Sequence, residues 1–131
     1  MSAFWRMVVG GALVVLAFDT VASVASLVLG FPYFYAIVGS ILIYFAVGYF
    51  GFRRLGFGRA IGAALMIQLV DATLGWFISW KIGPGALSEE QRTFGFLIAT
   101  IVFVLIFAAI CAVVGGAVAR AVGGPRAEVA E

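Results

Sequence analysis

Apolar residues run almost unbroken through four stretches of this chain, near 4–29, 33–52, 57–80 and 93–119, and polar residues gather in the short intervals between them. At a rise of 1.5 Å per residue, each stretch is long enough as a helix to cross a hydrocarbon core of about 30 Å. The intervals carry helix-ending chemistry. Gly30-Phe31-Pro32 ends the first stretch, and Pro32 suits the first turn of the second. Arg53-Arg54-Leu55-Gly56 reads as a charged turn with a glycine stop, and Gly83-Pro84-Gly85 ends the third stretch. Ser88-Glu89-Glu90-Gln91 has the spacing of a capping box for the fourth, with Glu89 and Glu90 as a solvated helix start. Gly123-Gly124-Pro125 closes the fourth before a tail, 126–131, that is expected to fray. The expected fold is all-α: one polytopic membrane domain over 1–131, a bundle of four transmembrane helices.

The first and third stretches align at an offset of 52 residues, with Ala12 on Ala64, Leu13 on Leu65, Val15 on Ile67 and Asp19 on Asp71. The second and fourth match more loosely, Val47-Gly48 and Arg53 against Val114-Gly115 and Arg120. Two similar helical hairpins entering from the same side would be parallel repeats, related by an axis along the membrane normal. Helical spacing sets Ala12, Val15, Asp19, Ser23, Ser26 and Gly30 on one stripe of the first helix, opposite Val14, Val21, Val24 and Val28. The third helix has an equivalent stripe of Ala60, Ala64, Gln68, Asp71 and Gly75. Small residues four apart, as in Gly58/Gly62, Ala22/Ser26/Gly30 and Ala108/Ala112/Gly116, allow close helix approach.

Composition agrees with a membrane protein. Hydrophobic residues make up 65% of the chain and charged ones 11%, too few charges to form a soluble domain's polar shell. The net charge of +2 comes from scattered arginines and not from a basic stripe, so nucleic acid is not an expected partner. With no histidine and one cysteine, Cys111, set among alanines, the sequence offers no disulfide framework and implies no metal or other cofactor. Arg6, Arg53, Arg54, Arg59, Arg120 and Arg126 fall at one end of the bundle, Lys81 and Arg92 at the other. By the positive-inside rule both termini are cytoplasmic, and the arginine-rich composition suits a bacterial cytoplasmic (inner) membrane. Phe4, Trp5, Tyr49, Phe52 and Phe57 would mark the inner interface, and Tyr33, Tyr35, Trp76 and Trp80 the outer one. Residues 6–25 have the outline of a signal peptide, with a small-x-small site at Ser23-Val24-Ala25, but one arginine is a weak n-region and the segment is read as a retained span.

Candidate chemistry is confined to two acids. Asp19 and Asp71 lie mid-span with no lysine or arginine near them in sequence, and a carboxylate at that depth costs about 2.5–3.5 kcal/mol on insertion scales. Counted from Arg6 and Arg59, both sit roughly 18–20 Å into the bilayer. Ser40 on the descending second helix reaches the same height, and Tyr44 and Gln68 share a layer about 6 Å lower. With Ser23, these residues form the expected polar patch, and the two carboxyls are the expected proton- or cation-binding groups. The fourth helix offers Val104, Phe107 and Ala108 at that height and is expected to be a lipid- or subunit-facing wall.

Two carboxyls without a cation partner are expected to hold a proton at neutral pH and to release it to water or an arriving cation. The functional expectation is a small homo-oligomeric membrane protein performing proton- or cation-coupled transport. The alternative is an accessory subunit of a larger membrane complex, with the aspartates as interhelical hydrogen-bonding groups. No enzyme is expected. The Gly-x-Gly-Asp motif of intramembrane aspartyl proteases is absent, since Asp71 follows Gln68-Leu69-Val70, and Cys111 has no base beside it.

Overall fold

The computed structural model describes residues 1–123, so Gly124, Pro125 and the tail 126–131 with Arg126 lie outside the described residues. The described chain is helical with no strand. It runs as α1 (Ala3–Leu29), a short 3-10 turn (Tyr33–Tyr35), α2 (Ala36–Leu55), α3 (Phe57–Val70), a π-helical turn (Asp71–Gly75), α4 (Trp76–Ile82), a second 3-10 turn (Glu89–Gln91) and α5 (Phe94–Gly123). α3, the π turn and α4 form one continuous rod, Phe57–Ile82, so that four helices are long and apolar enough to span a membrane. This is an integral membrane protein of four spans.

The boundaries follow local chemistry. Gly30 caps α1 in the left-handed region at φ 71°, its N–H donating to the Ser26 carbonyl. Arg53, Arg54 and Leu55, expected as a turn, stay helical, and Gly56 alone at φ 83° turns the chain. The capping box at Ser88 is present, but it closes the 3-10 turn; the Thr93 hydroxyl accepts the Phe96 N–H at 3.3 Å and starts α5.

α2 and α3 pair at the centre, α1 packs on one side of them and α5 on the other, and α1 and α5 are held apart. The closest crossing joins α2 to α5. A β-carbon at Gly48 would lie 2.6 Å from the Ala112 α-carbon, and one at Gly115 would lie 3.0 Å from the Tyr49 nitrogen, so these backbones touch directly. α5 is therefore more than the expected wall: it exposes Val102, Phe103, Ile106 and Ile110 outward but buries Ala108, Ala112, Gly115, Gly116 and Ala119 against its neighbours. The expected stripes are the buried faces of the other spans too, with Val15, Asp19, Ser23 and Ser26 on α1 and Ala60, Ala64, Gln68 and Gly75 on the third span. Val14, Val21, Val24 and Val28 face outward. Gly58, by contrast, meets no neighbour, so Gly58/Gly62 is not a crossing point.

Below mid-span, Val15, Tyr44, Ala64, Ile67, Ala108 and Ala112 make a sealed apolar core, with Cys111 packed beside it. Above it the helices part. α4 leans on α1 and not on α2 or α5, which opens a space between them from the π turn onward. Several aromatics expected at the interfaces are absorbed by this architecture. Phe52 is buried edge-on to Phe57, while Tyr33 and Trp76 line the opened space.

Candidate functional site

Asp71 opens the π turn. There the Trp76 N–H reaches back five residues to the Asp71 carbonyl, and the Thr73 hydroxyl donates to the carbonyls of Leu69 (2.8 Å) and Val70 (3.2 Å), satisfying backbone acceptors where the helix widens. Such widened turns are frequent at functional sites. Asp19 comes from the facing stripe of α1, 6% exposed.

The two carboxyls meet over Gly75. A β-carbon there would overlap Asp19 Oδ2 and lie 2.6 Å from Asp71 Oδ1, so they occupy the space the glycine leaves. They are within hydrogen-bonding reach of one another. The Tyr44 hydroxyl donates to Asp71 Oδ2 at 2.9 Å and Gln68 Nε2 donates to the same oxygen at 3.1 Å. No N–H or O–H among the described residues donates to Asp19. Ionised carboxylates are acceptors only, so two facing each other are relieved by a proton or a cation between them. The donors thus converge on Asp71, and Asp19 faces it without one of its own.

Of the expected patch, Asp19, Asp71, Tyr44 and Gln68 are thus brought together. Tyr44 and Gln68 reach up from their lower layer, as their longer side chains allow. Ser40 lines the same cavity, but its hydroxyl turns back to the Ala36 carbonyl at 3.4 Å and does not touch the acids. Ser23 lies one turn beyond Asp19, fully buried, with its hydroxyl unpartnered.

The cavity above the pair has a volume of about 310 Å³ and runs from Asp19 and Asp71 to Gly85, walled by Tyr33, Ile37, Trp76, Ile101 and Val104. Ser79, 2% exposed, also lines it and also lacks a partner. The Tyr33 hydroxyl approaches both serines without closing a hydrogen bond to either. A space of this size has room for several waters, each occupying about 30 Å³ in the liquid. The result is a largely apolar cavity with the acids at its base and Tyr33 and Ser79 along it, and the apolar core beneath. Ser79 extends the Gln68, Asp71, Gly75 stripe by four residues, so its place was readable from spacing; Tyr33, Trp76 and the π turn had no such signal.

The orphan hydroxyls give a prediction. Ser23→Ala removes a buried group with no partner and is expected to raise the unfolding free energy in detergent by about 1 kcal/mol. A comparable loss on chemical unfolding would show that water satisfies the hydroxyl.

No protein family, curated protein or solved structure matches this chain. What fold and geometry define is a class: a four-span integral membrane protein with a carboxyl pair at the base of an open cavity between its helices.

Proposed function

We propose that this protein is a small carrier that exchanges a proton for a cation at the Asp19–Asp71 pair. The observation that carries this reading is that the two acids face each other across Gly75 at the closed end of the chamber. With one shared proton the pair has a net charge of −1. When a monovalent cation arrives and the proton leaves, the two carboxylates and the cation together again carry −1. The exchange therefore leaves the charge in the low-dielectric site unchanged, which avoids the cost of a second bare charge. Tyr44 and Gln68 hold Asp71 in place through both states, and the chamber supplies water to carry the proton away.

The cavity extends from the acids toward Gly85, at the end opposite Arg6, Arg53 and Arg54, and in this reading the present arrangement is one access state of an alternating cycle. The proposed setting is a bacterial inner membrane with both termini cytoplasmic, by the distribution of arginines. The two hairpins act as parallel repeats, and the offset of 52 residues puts their acids at one depth. The outward face of α5, with Val102, Ile106 and Ile110, offers a surface for a second copy and for a homo-oligomer.

Reconstitution of the purified protein in liposomes tests the proposal. A gradient of a monovalent cation is expected to drive counter-movement of protons, read with an internal pH dye, and Asp19→Asn or Asp71→Asn is expected to abolish it. Wild-type flux that both variants retain would overturn the carrier reading. Absence of wild-type flux, with an aspartate-dependent partner co-purifying, would favour the accessory-subunit alternative.

A further inference from the structure

On the opposite side of α1 from the chamber lies a second and larger hollow. It is a groove of about 630 Å³ between α1 and α2, with Arg6 and Arg54 at one end and otherwise apolar lining that includes Gly10, Val14, Leu42 and Phe50. We infer that this groove binds one anionic glycerophospholipid, its phosphate on Arg6 and Arg54 and an acyl chain between the helices.

Length supports this occupant. From Arg6 to Val14 the groove covers about 12 Å of α1, and from Arg54 to Leu42 about 18 Å of α2. One leaflet of a hydrocarbon core is about 15 Å deep. The groove therefore runs from the headgroup level to the bilayer centre and stops there. What stops it is Phe18, whose ring packs on Gly39, 2.5 Å from where a β-carbon would sit, and closes α1 against α2. A transmembrane helix of a second copy would need a groove along the whole bundle, and this one serves half.

Charge supports it as well. Arg53, the neighbour of Arg54, is engaged by Tyr49: it donates to the hydroxyl at 3.2 Å and lies 5.5 Å from the ring centre. Arg6 and Arg54 are exposed and meet no carboxylate among the described residues. Two guanidiniums at headgroup depth, above an apolar slot, match an anionic phosphodiester with an attached chain. The glycines make the slot. Gly11 lines it, and a β-carbon at Gly10 would meet nothing within 4 Å, so the groove is open there.

The openness at Gly10 allows a clean test, because Gly10→Leu puts a side chain into the slot from a position where the β-carbon itself meets nothing within 4 Å. Native mass spectrometry of the full chain in mild detergent, titrated with phosphatidylglycerol or phosphatidylcholine, reads the binding. The wild type is expected to hold one phosphatidylglycerol in preference to phosphatidylcholine. The double variant Arg6→Gln/Arg54→Gln is expected to lose about thirtyfold in phosphatidylglycerol affinity, and Arg6→Lys/Arg54→Lys to keep most of it. Gly10→Leu is expected to lose both lipids while its circular dichroism and thermal transition stay those of the wild type. Equal wild-type affinity for the two lipids, or indifference to the glutamine substitutions, would overturn the inference. So would a wild-type dimer that Gly10→Leu disrupts without any lipid present, because the groove would then be an interface between copies.

Discussion

Gly48→Ala is expected to destabilise the bundle more than any other single-methyl change in this chain. The added carbon would overlap the Ala112 carbonyl oxygen and lie 2.7 Å from its carbon, all backbone atoms with no rotamer to yield. α2 and α5 would have to separate along the contact where Gly115 already meets the Phe45 carbonyl. Overpacking of a close-packed core costs about 1–3 kcal/mol and occasionally more, and a clash with backbone belongs at the upper end. Membrane helices gain no hydrophobic drive from their association, so loss of close packing is not offset by water exclusion. The control is Gly58→Ala, an equal change where nothing lies within 4 Å. In unfolding titrations with a denaturing detergent, Gly48→Ala is expected to lose about 3 kcal/mol and Gly58→Ala to stay within about 0.5 kcal/mol of wild type. Similar values for the two variants would mean that the α2–α5 crossing does not hold the bundle together.

That contrast also shows what the sequence could and could not convey. Gly58/Gly62 and Ala108/Ala112/Gly116 have the same small-residue spacing, yet only the second is buried at a crossing. Spacing reveals that a helix can be approached closely; which face is approached depends on the connections and on the whole set of packing choices. The spans themselves were legible because about 20 apolar residues and a glycine stop are local signals. The facing of Asp19 and Asp71 was half legible: stripes and depth put both on buried faces at one height, and the structure supplies the contact over Gly75. The π turn was not legible, since Asp71-Ala72-Thr73-Leu74-Gly75 differs little from ordinary membrane helix, and its clearest trace is the Thr73 hydroxyl taking up Leu69 and Val70 carbonyls. Nor was the role of Tyr33 and Trp76 legible, because an aromatic residue near a span end is by default an interface anchor. Here the lean of α4 toward α1 brings both rings to the chamber wall.

The asymmetry of the acid pair yields the sharpest expectation about its chemistry. At neutral pH the infrared spectrum of the reconstituted protein is expected to contain one buried protonated carboxyl, isolated as a difference between wild type and variant. In Asp19→Asn that band is expected to vanish. Asp71 would then accept from Tyr44, Gln68 and the new amide, and a carboxylate receiving two or three donors is well stabilised in its charged form. In Asp71→Asn the band is expected to persist. Asp19, 6% exposed and without a cation beside it, would remain the neutral acid, since a bare charge at that depth costs about 2.5–3.5 kcal/mol. Because asparagine keeps the shape of aspartate, the difference between the variants reports the donor arrangement and not a change of packing. The same asymmetry sets the order of events in the proposed exchange: the cation meets an Asp71 carboxylate already held by two donors, and the proton that departs is the one on Asp19. Loss of the band in both variants, or its survival in both, would show that the pair shares its proton evenly or not at all, and the order of steps would have to be drawn differently.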